Sequence, residues 1–276
     1  MEEPSAEQLL EEKSGQSYWD TRYKDKTAVW DIGEVSPPLR SYIDKIEDKN
    51  LHILIPGCGN TYEAEYLLQQ GFKQVTVIDI APTLVEKLKD KFAGNIHIQI
   101  ILGDFFTQQG QYDLILEQTF FCALPPRMRP HYAAKMHSLL KQGGKLAGVL
   151  FNCSFEGGPP FGAYQEEYEA LFKEAFHFNV MEPCRNSIAP RANNELMFEL
   201  KKNAEVLVQR YVFKGITCNG CKQTVTDKFS AIEGVLNVCM SGDFSEVLIV
   251  SKKEIALLEL QSSIAYDARY SISKAD

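Results

Sequence analysis

What the 276-residue chain lacks narrows its class before any motif is read. No apolar run reaches the ~18 residues that a membrane span requires, so no membrane partner is expected. The opening stretch, MEEPSAEQLLEEK, holds no hydrophobic segment of the kind a secretory signal needs. Basic residues are in deficit: 29 Lys+Arg against 37 Asp+Glu gives a net charge of −8, which leaves no basic stripe for nucleic acid. Seven cysteines, odd in number and scattered, do not compose a disulfide framework and read as reduced thiols of a cytoplasmic protein. Hydrophobic residues at 45% and charged residues at 24% are those of a soluble globular chain long enough to bury a real core.

What is present is an alternation. From residue 51, the runs ILIP, QVTVIDI, IHIQIIL, YDLILEQ and KLAGVLF are separated by helical segments such as YEAEYLLQQG, TLVEKLKDKF and RPHYAAKMHSLLKQGG. Short β-branched runs alternating with amphipathic helices predict an α/β, doubly wound and mostly parallel sheet. Gly71 and the pair Gly143 and Gly144 stand where helix C-caps belong. Near Asn203 the pattern changes to strand, helix, two strands, helix and strand, the βαββαβ order of a small α+β ferredoxin-like unit. From Val206 onward, 8 Lys+Arg balance 8 Asp+Glu, so the acidic excess belongs wholly to the first part. Two domains are expected, residues 1–203 and 206–276.

The turn PGCG places Gly57 and Gly59 after the first strand, where a doubly wound sheet receives its ligand. Asp79 ends the next strand, twenty positions after Gly59, and a carboxylate there can accept both hydroxyls of a ribose. A dinucleotide fingerprint wants a third glycine where Tyr62 stands, and the following helix opens with Glu63 and Glu65, which would repel a pyrophosphate. They would not repel a sulfonium. After the third strand, LGDFF offers Asp104 to an adenine amino group and Phe105 to its ring. The three elements together point to S-adenosylmethionine, against the plainer reading of a dehydrogenase-like or flavodoxin-like sheet with chance acids.

The ordered motifs YWDTRYKDKTAVWDIGEVSPPL, PGCG, DFF, EQTFFCALPPRMRPHYAAKMHSLLKQGG, GGPPF and IAPR run from residue 18 to residue 191. This series resembles the thiopurine methyltransferase family, and within it the thiol and halide methyltransferases. The resemblance implies a class I S-adenosylmethionine-dependent methyltransferase fold with a seven-stranded sheet. It also implies an N-terminal segment, residues 1–45, that closes over the cofactor. Trp19, Tyr23 and Trp30 would belong to that lid. Gly57, Gly59, Asp79, Asp104, Phe105 and Gln118 would line the cofactor, although Gln118 stands where relatives often carry arginine or tyrosine. Trp30, Phe120, Phe161 and Arg191 would face the methyl acceptor. A sulfonium facing aromatic rings gains about 0.5–2 kcal/mol from cation–π attraction; the plainer role for Trp19 and Trp30 is to anchor the N-terminal arm.

No residue in these motifs reads as a proton acceptor. His131 and His137 share one helix and read as surface or packing residues rather than catalytic ones. The fourth strand ends in EQTFF rather than the Asn/Asp-Pro-Pro-aromatic of amine methylases, and PPF occurs later, at residues 159–161. A nucleophile that is already anionic needs only alignment and exclusion of water. Small thiols, halide-like anions or metalloid species are therefore the expected acceptors. Cys122, Cys153 and Cys184 lie near strand ends and read either as buried small apolar residues or as a three-thiolate cradle for a metalloid.

In the second domain, GITCNGC puts Cys218 and Cys221 on a loop that opens a helix, where the dipole favours thiolate. Two thiolates at this spacing suit a soft ion such as Cu(I), Hg(II) or, with further ligands, Zn(II). A thioredoxin-like pair would normally have proline at Gly220, and a zinc site would need a second ligand pair. With IEGVLNVCM and the βαββαβ order, the segment resembles the heavy-metal-associated domain of copper chaperones and metal-transporting ATPases, departing at Ile216 where methionine is usual. The expected protein is a methyltransferase fused to a soft-metal domain, with a role in metal or xenobiotic detoxification. Its rival is a metal-binding or sensing protein on an inactive methyltransferase scaffold.

Overall fold

A computed structural model describes residues 15–275, so residues 1–14 of the expected lid and Asp276 lie outside the described residues. Two short helices come first, α1 (Gln16–Lys24) and α2 (Pro37–Ile43). The alternating units then follow: β1 (His52–Pro56), α3 (Tyr62–Gln69), β2 (Gln74–Asp79), α4 (Pro82–Lys91), β3 (Ile98–Leu102) and β4 (Tyr112–Gln118). The larger part closes with α5 (Arg129–Leu139), β5 (Leu140–Phe151), α6 (Gln165–Phe172), β6 (Phe176–Pro183) and β7 (Glu195–Lys202).

These seven strands form one sheet in the order β3-β2-β1-β4-β5-β7-β6. Pairs β1–β2, β2–β3, β1–β4 and β4–β5 are parallel, while β7 runs antiparallel between β5 and β6. The order reverses between β1 and β4, and a ligand crevice belongs at the carboxyl ends of the strands there. β1 and β4 are buried or half-buried along nearly their whole length because helices cover both faces of the sheet.

One expectation fails locally. Gly143 and Gly144 do not cap a helix: α5 ends at Leu139, and both glycines lie inside β5. The register slips between Tyr112 and Leu114 at this point. Gly143 takes φ +79°, and a Cβ on Gly144 would stand 2.9 Å from the Tyr112 carbonyl oxygen. The glycines serve a bulge in the strand rather than a helix end. Gly71, at φ +86°, does follow the last turn of α3, with its N–H donating to the Leu68 carbonyl.

The C-terminal part runs β8 (Leu207–Lys214), α7 (Asn219–Ser230), β9 (Val235–Met240), β10 (Glu246–Ser251), α8 (Leu257–Ile264) and β11 (Ser271–Lys274). Its strands make an antiparallel sheet in the order β11-β8-β10-β9. Alternate residues of β10 serve two cores. Val247 and Ile249 pack under α7 and α8 with Phe213, Val225 and Phe229. Leu248 and Val250 join the core that holds Ala133, Met136 and Leu140 of the larger part. The sheet thus lies on α5, and Asn237 donates to the carbonyls of Ala170 and Lys173 at the end of α6. The two parts share one core.

Candidate active site

A cavity of about 600 Å³ opens at the carboxyl ends of the central strands, a size that suits a small-molecule ligand. Its floor comes from β1, β2 and β3. Gly57 takes φ +53°, and a Cβ there would lie 2.2 Å from Phe120 Cδ2, so the turn stays side-chain-free to admit the Phe120 ring. Asp79 is buried and accepts from Gly59 N at 3.1 Å and Ala81 N at 3.0 Å. Burial pushes its pKa up, and the backbone donors partly offset that. A carboxylate has about four acceptor positions, so Asp79 retains capacity toward the cavity. Asp104 accepts from Phe106 N at 2.9 Å, and Phe105 meets Phe120 edge-on at 5.1 Å.

The N-terminal segment forms the roof. Trp19 and Trp30 contact edge-to-face at 5.4 Å, and Tyr23 meets Trp30 at 5.9 Å. All three line the cavity. The roof is tied down by polar contacts: Asp20 accepts from Thr83 N at 2.7 Å, Gln16 Nε2 donates to the Ile80 carbonyl at 3.0 Å, and Asp31 accepts from Asn60 Nδ2. Arg191 reaches across from the β6–β7 connection. Its Nη2 donates to the Trp30 carbonyl at 2.9 Å, while Nη1 sits 3.6 Å from Glu195 Oε1.

The remaining wall is apolar, formed by Phe120, Leu124, Met128, Phe151, Phe155, Pro159 and Pro160 with Cys122 and Cys153. Its shape depends on a residue that sequence reasoning missed. Glu117 is fully buried; Oε1 accepts from Phe120 N at 2.7 Å and Phe121 N at 2.9 Å, and Oε2 accepts from Tyr132 Oη at 2.6 Å. Burial raises its pKa to about 7. A carboxylate directly after the apolar run LIL of the central strand YDLILEQ was the available signal.

The structure brings Trp19, Tyr23, Trp30, Gly57, Asp79, Asp104, Phe105, Phe120 and Arg191 together around this cavity. Three predicted residues do not line the cavity. Gln118 alternates to the other face of β4 from Glu117, and its Oε1 accepts from Ser36 Oγ at 3.0 Å. Gly59 turns its N–H onto Asp79, behind the Tyr23 hydroxyl. Phe161 is buried, its ring folded over Gly158 and its N–H donating to the Cys122 carbonyl at 2.6 Å. Glu63 and Glu65 also face elsewhere: Glu63 accepts from Ser36 N at 3.4 Å, and Glu65 pairs with Lys91 at 2.7 Å.

The three-thiolate cradle does not form. Cys122 and Cys153 line the cavity but Cys184 does not, lying instead 3.5 Å from Asn186 Oδ1. Burial raises the pKa values of Cys122 and Cys153, which keeps both as thiols. No group of three or more His, Cys, Asp or Glu side chains placed to hold a metal occurs among the described residues. His131 and His137 are packing residues, each with its pKa lowered to about 4 by burial; His131 stacks on Phe106 at 4.0 Å and His137 Nε2 lies 3.0 Å from the Asn203 carbonyl. Cys218 caps α7, with its Sγ 3.0 Å from Cys221 Sγ and 3.4 Å from Cys221 N. The Cys221 pKa is lowered by the Cys218 thiol first, then by the Tyr270 hydroxyl and Arg269.

Comparison with known proteins places this geometry. The family profile of thiopurine S-methyltransferase matches residues 14–210. A probable thiol methyltransferase 2 of Arabidopsis thaliana is 30% identical over 193 residues, covering 67% of this chain and 85% of that protein. Thiocyanate methyltransferase 1 of Brassica oleracea is 28% identical over 201 residues, covering 70% and 88%. In fold, the chain resembles the 1,6-didemethyltoxoflavin-N1-methyltransferase of Burkholderia thailandensis, with a TM-score of 0.56 at 18% identity over 74% of this chain and 92% of that one. The chain belongs to the thiopurine S-methyltransferase family and is an S-adenosylmethionine-dependent methyltransferase of the class I fold.

Proposed function

We propose that the enzyme methylates a small, soft nucleophile: a thiol, a halide-like anion or a metalloid species. The observation that carries this reading is the cavity lining. Among the described residues it includes no histidine and no glutamate, and its carboxylates, Asp79 and Asp104, sit on the floor formed by β2 and β3 rather than against the apolar wall. Bound there, S-adenosylmethionine supplies an electrophilic methyl carbon on a sulfonium. Asp79 would hold the ribose, Asp104 and Phe105 the adenine, and Trp19, Tyr23 and Trp30 would close over the top. Displacement by a soft anion needs alignment and a dry site rather than a base. The apolar wall and the roof exclude water, and the guanidinium of Arg191 favours an anion. The thiol and thiocyanate methyltransferase relatives support the same acceptor class. An inactive scaffold would not be expected to keep the roof, floor and wall together.

The C-terminal part is, in this reading, a heavy-metal-associated domain of ferredoxin-like order that binds a soft ion such as Cu(I), Hg(II) or Zn(II) between Cys218 and Cys221. The pairing of two sulfurs at a helix start, with one thiol of lowered pKa, supports it. A cytoplasmic setting, where such thiols stay reduced, and a role in metal or xenobiotic detoxification follow. Calorimetric titration of S-adenosylmethionine, then turnover on a thiol, iodide, thiocyanate and tellurite, tests the acceptor class. Binding without turnover on any of them would count against it.

A further inference from the structure

The C-terminal part also touches the catalytic cavity from behind. Leu124 and Met128 line the acceptor wall, and between them the chain meets the β9–β10 turn: a Cβ on Gly242 would lie 3.9 Å from Pro126 Cβ. Close by, Glu246 Oε1 accepts from Arg210 Nη1 at 2.6 Å in a pair largely shielded from solvent. Glu246 Oε2 is buried and accepts no hydrogen bond among the described residues. The surroundings of Glu246 include Arg127, the neighbour of Met128, and those of His131 include Arg210. The His131 ring stacks at 4.0 Å on Phe106, which also lines the cavity. The ion pair thus lies within electrostatic reach of both ends of the segment 127–131.

We propose that Glu246 is a positioning residue for methyl transfer: through Arg210 and the β9–β10 turn, it holds residues 124–131 as the rear of the acceptor wall. The small domain then completes the acceptor side and leaves the cofactor side to β1–β3 and the roof. This rests on the methyltransferase reading of the cavity. The CNGC loop lies at the same end of the small domain as this turn, with Lys222 Nζ 5.9 Å from the Phe244 ring. A change at the loop has a short path to the wall.

The test compares the full-length wild type with Glu246→Ala and Glu246→Gln. Three quantities are read: KM for thiocyanate, Kd for S-adenosylmethionine, and deuterium uptake along the chain. Glu246→Ala is expected to raise the thiocyanate KM about tenfold, as loss of a charge-assisted bond implies, with the S-adenosylmethionine Kd unchanged. Uptake should quicken in residues 124–131 and stay the same in residues 15–35. Glu246→Gln, which keeps an acceptor for Arg210, should fall between the two. Unchanged uptake in 124–131 would overturn the proposal, as would a Kd rising in step with KM. Should the wild type turn over none of thiocyanate, iodide, a thiol and tellurite, the acceptor reading fails while the exchange comparison still decides the role of Glu246.

Discussion

The Arg191 guanidinium donates to the Trp30 carbonyl at 2.9 Å and lies 3.6 Å from the buried Glu195 carboxylate, which joins the roof to the β6–β7 connection. The roof is therefore latched as well as packed. Hydrogen bonds to charged groups contribute about 1.5–3 kcal/mol. Arg191→Ala should weaken S-adenosylmethionine binding about tenfold to a hundredfold by the same scale. The only two tryptophans, Trp19 and Trp30, both sit in the roof, so the emission shift on ligand addition should shrink in parallel. Arg191→Lys, which keeps the charge but loses the planar fork, should rescue little.

Glu117 gives the fold a pH signature. Its pKa is raised to about 7 in the folded state, so the folded protein holds a proton that the unfolded chain releases at ordinary carboxylate pH. The associated stability is complete below about pH 4.5 and is lost as pH rises through about 7, amounting to about 3 kcal/mol. Urea titrations at several pH values should show wild-type stability falling over that window. In Glu117→Gln the fall should flatten.

Space at Gly57 is the third test. Gly57→Ala combines a positive φ with a clash against the Phe120 ring and should cost about 1–3 kcal/mol in thermal unfolding, with impaired cofactor binding. Adding Phe120→Ala removes the clash. The double variant should regain part of the stability lost by Gly57→Ala.

Thiol reactivity should be uneven. Cys221 has a lowered pKa through Cys218 and then Tyr270, while burial raises those of Cys122, Cys153 and Cys239. Iodoacetamide near neutral pH, followed by peptide mass spectrometry, should label Cys221 well ahead of those three. Tyr270→Phe should slow it. Cys218→Ser should abolish binding of a soft ion and leave S-adenosylmethionine affinity intact.

Much of this architecture is legible in the chain because the physics is local. The alternating β-branched and helical runs, the glycine turn, Asp79, and the Asp104–Phe105 pair each report a strand end, and the strand order brings the ends together. The roof aromatics are legible as a group that belongs to no strand. What sequence hides is side-chain direction near the turns. Gln118 and Glu117 are neighbours on one strand and point to opposite faces, and it is the Glu117 carboxylate that shapes the apolar wall. Phe161 follows two prolines of the wall yet folds inward. Gly143 and Gly144 read as a helix end because a strand bulge uses the same residue. The packing of the C-terminal sheet on the larger part did have a trace: EVLIVS is apolar on both faces, as a strand covered on both sides must be.

The central claim concerns the nucleophile, and acceptor competition tests it most directly. Radiolabelled methyl transfer should be followed at equal concentrations of thiocyanate, iodide, a small aryl thiol, and the phenol and aniline of the same size. The soft acceptors should carry the label, and Asp79→Ala should abolish transfer to all of them. Preferential labelling of the phenol or the aniline would contradict the account, because the cavity would then require a proton acceptor that the apolar wall, among the described residues, does not supply.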